Sequence, residues 1–380
     1  MKKKSRPLTT VLMLLLPALL LFWGGKGAAV LGAAMAAPDG ALELLFQSEL
    51  TSSPQAPNAP KSAATTVPDT TEPTEQITQS HPTAGEAPKT TESAVSKKAS
   101  DITATPADIA ALAAKSQAAD KGKKAGNIRE FNYAKSGATD TYQNVRVRNT
   151  TKTASVDIKK ELEKPLDIGK KPAILIFHTH TTESYNLFER DFYTASDSVR
   201  TKDSGKNIVR IGRELAGILE AAGYRVIHDT TIHDSTYNGS YNRSRATVEK
   251  HLAENPDIQV VLDIHRDAIH NGNTRQKPVA KIEGKKAAQI MIITGVEEGG
   301  ITNFPNWRGN LTFALHLQKA LEDRYPQLTR AVFFCSRRYN MNLGKNNLLI
   351  EIGSDANTLD EAAYTARMLG TALAELLAGS

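Results

Sequence analysis

Residues 127–380 have the alternation of apolar runs and amphipathic stretches expected of a doubly wound α/β domain, a mostly parallel sheet flanked by helices. Three observations carry that expectation. Ala173-Ile-Leu-Ile-Phe177 is apolar at every position, which suits a strand buried on both faces. Further strand candidates at 224–228, 258–264, 288–294, 331–335 and 347–352 are interleaved with helical stretches near 206–222, 242–254, 309–324 and 358–378. The segment from Pro278 to Ile293 has the form of a hairpin turning at Glu283-Gly284-Lys285, so one local strand pair is expected to be antiparallel.

Ahead of this region the composition changes twice. Met1-Lys-Lys-Lys-Ser-Arg6 is a basic head followed by the apolar run Val11–Trp23, and residues 1–37 together have the form of an export or anchoring signal. The unbroken apolar stretch is short for a membrane span, and Ala34-Met-Ala36 resembles a signal-peptidase site, so cleavage and retention both stay open on the residues alone. Residues 38–126 are dominated by Thr, Ser, Ala, Pro and Lys with almost no aromatics. Such a segment cannot bury enough apolar surface to offset its ordering entropy, and it is expected to be a disordered tether with at most a weak helix at 106–119.

The formal net charge of +6 is modest, and no Lys/Arg stripe interleaved with aromatics is present, which argues against nucleic acid as a partner. The lone cysteine, Cys335, lies in an apolar run and is expected in the core. It permits no disulfide within one chain and excludes a metal site built on paired cysteines.

The chemistry is concentrated where apolar strands end. His178-Thr-His180-Thr-Thr-Glu183-Ser-Tyr185 follows the first strand, and His265-Arg-Asp267 follows Val260-Val-Leu-Asp-Ile264. Open α/β sheets place ligand sites at the carboxyl ends of their strands. Histidine and glutamate are nitrogen and oxygen donors suited to zinc, so two strand-end histidines can converge on one metal. Leu348-Leu-Ile-Glu351-Ile-Gly-Ser354 sets a carboxylate inside an apolar strand, which is costly unless the group is paired or faces a polar site. A proton-accepting role beside a metal would account for it. A single histidine in an α/β protein is more often a hydrogen-bonded structural residue than a ligand, and from spacing alone both readings stay open. His233, in a polar loop, is weighed between lining the pocket and a plain surface position.

Five motifs in order resemble the stage II sporulation protein P family of endospore-forming bacteria. They are His178–Tyr185, His228-Asp-Thr-Thr-Ile-His-Asp234, Tyr237-Asn-Gly-Ser-Tyr-Asn-Arg-Ser244, Asp263-Ile-His-Arg-Asp-Ala268 and the segment from Asn342-Leu-Gly to Leu349-Ile-Glu-Ile-Gly-Ser354. The resemblance implies an amidase-like catalytic domain at 127–380 outside the cytoplasm, behind a retained single-pass anchor at 1–37 and a disordered linker at 38–126. It implies a Zn2+-dependent N-acetylmuramoyl-L-alanine amidase, with endopeptidase activity on stem-peptide cross-links as an additional possibility, acting on peptidoglycan during engulfment. Stage II sporulation proteins D and M are the implied partners. A non-catalytic wall-binding scaffold is the alternative. By the same resemblance His180 and His265 match the two metal histidines and Glu351 the catalytic acid. The family pattern puts the metal glutamate just ahead of the first long helix, where 204–207 offers none. Glu183 takes that place, with Asp203 as the fallback.

Overall fold

The computed structural model describes residues 102–379, so the expected membrane segment and the linker up to residue 101 lie outside the described residues. Among the described residues no helix is long and apolar enough to cross a membrane. The strands are β1 (Lys124–Phe131), β2 (Asp140–Tyr142), β3 (Val145–Asn149), β4 (Ala173–Phe177), β5 (Phe192–Thr194), β6 (Val226–His228), β7 (Ile258–Asp267), β8 (His270–Asn271), β9 (Thr274–Ile282), β10 (Lys285–Ala288), β11 (Ile290–Gly295), β12 (Val332–Cys335) and β13 (Asn347–Ser354). The helices are α1 (Ala107–Ala119), α2 (Ile158–Leu162), α3 (Ile208–Ala221), α4 (Ser240–Glu254), α5 (Trp307–Arg324) and α6 (Leu359–Ala378).

The unbroken apolar run of β4 is explained by its two faces. Ile174 and Ile176 enter the larger core with α3 and α6, while Ala173, Leu175 and Phe177 enter a smaller one with Val248 of α4. The main sheet has the order β2-β3-β12-β11-β13-β7-β4-β6. Most neighbours are parallel, and β2–β3 and β11–β13 are the antiparallel pairs. Helices cover both faces unequally, with the larger core built from α3, α5 and α6 and the smaller one from α4. The helix that follows the last strand starts with a capping box in which the Thr358 and Glu361 side chains each satisfy the other's backbone N–H, a device worth about 1 kcal/mol.

The expected hairpin is present, turning at Glu283 and Gly284 with φ of 47° and 81°, and joins β9 to β10. Its second arm is shorter than expected, because the chain changes sheets at Gln289. β10 belongs to a second sheet, β10-β9-β1-β5 with β8 on β9, and β11 belongs to the main one. The buried Gln289 side chain makes the crossing possible by accepting from Tyr133 N–H at 2.8 Å and donating to the Gln327 carbonyl at 2.8 Å.

The described part of the expected linker, residues 102–126, is not free chain. Arg367 of α6 donates to the carbonyls of Ile102 at 2.9 Å and Ala104 at 3.0 Å, Asp108 pairs with Arg210 of α3, and Ile109 is 1% exposed. Buried Ile109, half-buried Leu112 and the Asp108–Arg210 pair dock a helix whose composition offers no broad apolar face, and Arg367 holds the residues just ahead of it. Ile109→Ala should therefore destabilise the full chain by about 2 kcal/mol or more, read as a lowered chemical-denaturation midpoint. An unchanged midpoint would show that α1 contributes nothing to the fold.

Candidate active site

In the sheet order β13, β7 and β4 are adjacent and parallel, so their carboxyl ends form one edge. Register then decides who meets whom. Glu351 of β13 lies opposite His265 of β7, and Phe177 of β4 lies opposite Asp263, which brings the residues just after β4 beside His265. The strand β7 runs two residues past His265, so this histidine is held on the strand itself and not in a loop. Beyond Glu351 the ladder breaks, and Gly353 takes φ +66° in that irregularity, a conformation that favours glycine.

The segment after β4 is a laced turn. Thr181 donates its hydroxyl to the His178 carbonyl at 2.8 Å, and Glu183 N–H donates to the His180 carbonyl at 3.1 Å. Backbone bonds from Ser184 N–H to Val199 and from Thr201 N–H to Thr182 hold it against residues 199–201, and Ile208 N–H donates to the Glu183 carbonyl at the start of α3. Asp234 accepts from Thr182 N–H and hydroxyl and pairs with Arg200.

His180, Glu183, His265 and Glu351 are all at most 5% exposed. The rings of His180 and His265 are 5.4 Å apart and nearly perpendicular at 87°. His265 Nδ1 lies 3.6 Å from Glu183 Oε2, which also accepts the Arg266 N–H at 3.1 Å. Neither ring nitrogen of His180 has a hydrogen-bond partner, and His265 Nε2 and Glu351 Oε2 have none. Buried polar atoms are otherwise almost always paired. Burial lowers the His180 pKa to about 4, against the raising pull of Glu183. Burial would raise Glu183, but the nearby His265 imidazole and the charge of Arg266 hold it low. Burial would lower His265, and the adjacent Asp263 carboxylate raises it instead. Burial and then the charge of Asp267 push Glu351 up.

Two imidazoles and a carboxylate with orphaned nitrogens are a donor set that fits zinc. Among the described residues the three donors whose ligand atoms all lie within 4.8 Å of one another are elsewhere, so His180, Glu183 and His265 would have to draw together to share one ion. Glu130, Glu189 and Glu361 have oxygens within 4.8 Å of one another, but the Lys277 ammonium stands 3.6, 2.6 and 2.7 Å from them and supplies the positive charge there.

The fallback ligand Asp203 is away from this cluster, with a half-exposed side chain paired to Lys206 at 2.7 Å. His178 is fully buried on the opposite side of the strand, where Nδ1 meets the Ile264 carbonyl at 2.9 Å and Nε2 meets His228 at 2.9 Å. His233 is a strut and does not line the site, since its nitrogens bond the His178 carbonyl at 2.8 Å and the Thr247 hydroxyl at 2.9 Å. Tyr237 and Tyr241 are the site residues for which the motifs suggested no role. Tyr237 lies flat on His180 at 4.9 Å, and Tyr241 stands edge-on to it at 5.7 Å. Their signal was two aromatics in an otherwise polar stretch, Tyr237 ahead of α4 and Tyr241 in its first turn.

Among solved structures, the CwlD amidase from Clostridioides difficile in complex with the GerS lipoprotein is similar at a TM-score of 0.37 and 13% identity, over 55% of this chain and 100% of that one. The N-acetylmuramoyl-L-alanine amidase from Clostridium difficile 630 is similar at 0.34 and 15% identity, over 56% of this chain and 97% of that one. Scores this low carry no argument about activity. The sequence relationship is stronger. Stage II sporulation protein P of Bacillus subtilis (strain 168) is 29% identical over 220 residues, which cover 55% of this chain and only 52% of that protein. The family model for stage II sporulation protein P (SpoIIP) matches residues 70–374, a span that includes every site residue described above, and on that match the chain belongs to the stage II sporulation protein P family.

Proposed function

We propose that this chain is a zinc-dependent peptidoglycan hydrolase that cleaves the N-acetylmuramoyl-L-alanine amide bond during engulfment. The observation that carries the reading is the pair of buried, unpartnered His180 nitrogens beside Glu183 and His265, with the buried Glu351 carboxyl on the neighbouring strand. His180, Glu183 and His265 would hold the ion. Bound there, zinc supplies a Lewis acid that polarises the amide carbonyl and acidifies water.

The remaining steps belong to the chain. Glu351 takes the proton of the attacking water and delivers it to the alanine nitrogen as the carbon–nitrogen bond breaks. Its raised pKa suits a group that must carry a proton between two positions. Tyr237 and Tyr241 wall His180 from bulk water, and Arg200, 3.7 Å from Glu183 Oε1, steadies that carboxylate.

The proposal extends to residues outside the described part. Residues 1–37 anchor the protein in the cell membrane with its catalytic domain outside the cytoplasm, residues 38–101 give it reach toward the wall, and stage II sporulation proteins D and M work beside it. The test is release of free stem peptides from purified sacculi by the full chain with zinc supplied, resolved by chromatography and mass. Release is expected. Wall binding with no release, even with the partner proteins added, would favour the non-catalytic scaffold.

A further inference from the structure

Asp263 takes no part in the proton transfers assigned to Glu351, yet it is fully buried and aimed at a ligand ring. Its Oδ1 lies 2.8 Å from His265 Nε2, an ion-pair contact off the line of a hydrogen bond, so that Nε2 has no hydrogen-bond partner, while His265 Nδ1 lies 3.6 Å from Glu183 Oε2. The two nitrogens of this ring therefore face different carboxylates, and of the two Glu183 is the one whose charge acts on His180. A metal-binding imidazole uses one nitrogen as donor and has the other held as N–H by an outer acceptor, which fixes both tautomer and ring orientation.

Asp263 is itself held from two sides. Its Oδ1 accepts the Thr179 N–H at 2.8 Å, and its Oδ2 accepts the Thr179 hydroxyl at 2.6 Å. With that proton committed, Ser244 donates to Thr179 Oγ1 at 2.8 Å, and Asn340 Nδ2 donates to Ser244 Oγ at 3.1 Å and to the Tyr241 carbonyl at 2.9 Å. Thr179, Ser244 and Asn340 are all buried. A connected buried network of this kind holds one arrangement, because a misplaced member would be left unpaired in a low-dielectric interior.

We propose that Asp263 is a positioning residue that commits His265 to bind zinc through Nδ1, with Thr179, Ser244 and Asn340 holding Asp263 in place. The inference rests on the metal reading above. It gives the Asp263-Ile-His265 spacing a cause, since residues two apart on a strand share a face and the carboxylate can reach the ring. The same network ties the orientation of His265 to Tyr241, whose ring lies 6.5 Å from it at an interplanar angle of 12°.

Zinc affinity of the full chain, measured by competition with a chromophoric chelator, tests this. Asp263→Asn keeps an acceptor toward Nε2 but loses the charge, and Asp263→Ala loses both. Affinity is expected to fall roughly 10-fold in the first and toward roughly 100-fold in the second. Nitrogen NMR of zinc-loaded, 15N-histidine-labelled wild type should show His265 metal-bound at Nδ1 and protonated at Nε2, with the resonance assigned by its loss in His265→Gln. That arm decides the question even where Asp263→Ala fails to fold. Zinc on Nε2, or Asp263→Asn and a folded Asp263→Ala both binding within about twofold of wild type, would overturn the inference alone. A wild type that takes up no zinc would overturn the metal reading and this inference with it.

Discussion

Glu351→Gln is expected to reduce stem-peptide release from sacculi by roughly two orders of magnitude or more, with zinc content and wall binding near wild type. The substitution keeps shape and hydrogen-bonding reach but removes the proton carrier. Glu351 is 2% exposed between the apolar residues Ile350 and Ile352, and its Oε2 has no hydrogen-bond partner, so it contributes little that a glutamine would not also contribute to the fold. Burial and Asp267 both raise its pKa, which favours the protonated form needed to donate to a leaving amine. An active wild type matched by Glu351→Gln would remove this residue from the mechanism.

The second large effect is on the metal itself. Wild type should carry about one zinc per chain by elemental analysis, and His180→Ala, Glu183→Ala and His265→Ala should each fall to near zero, because a structural or catalytic zinc needs at least three protein ligands. Asp203→Ala and His178→Ala are the contrasting variants and should keep their zinc. Asp203 is paired with Lys206 at the surface, and His178 has both nitrogens engaged away from the cluster. Equal zinc in wild type and His265→Ala would end the ligand assignment.

Several elements show why some of this was legible before the structure. The buried strands were visible because β4, β7, β11 and β13 bury both faces and so have apolar runs, unbroken in β4 and interrupted in β7 and β13 by Asp263 and Glu351. Of the second sheet only the β9–β10 hairpin was, because β1, with its Lys, Arg and Glu, and the three-residue β5 bury few of their side chains. Helix α1 was expected to be at most weak; Ile109, Leu112 and the Asp108–Arg210 pair dock it, and Arg367 holds the chain just ahead of it at Ile102. Those arginines lie 102 and 265 residues from their partners, a separation that local pattern cannot span.

The site divides in the same way. Sequence alone determined that an imidazole-rich turn follows one buried strand, that another strand delivers a histidine, and that a third carries a carboxylate too costly to bury without a role. Those are local statements, since apolar runs and strand ends are written in consecutive residues. Family resemblance supplied the roles. Only tertiary structure decided that Glu183 and not Asp203 accompanies the histidines, that His180 joins His265 while His178 turns to His228, and that Tyr237 and Tyr241 close over them. These choices depend on which strands are neighbours and in what register. Both are set by packing between segments about 50 to 170 residues apart in the chain, so that each side chain's partner is fixed by the sheet and not by its own neighbours in sequence.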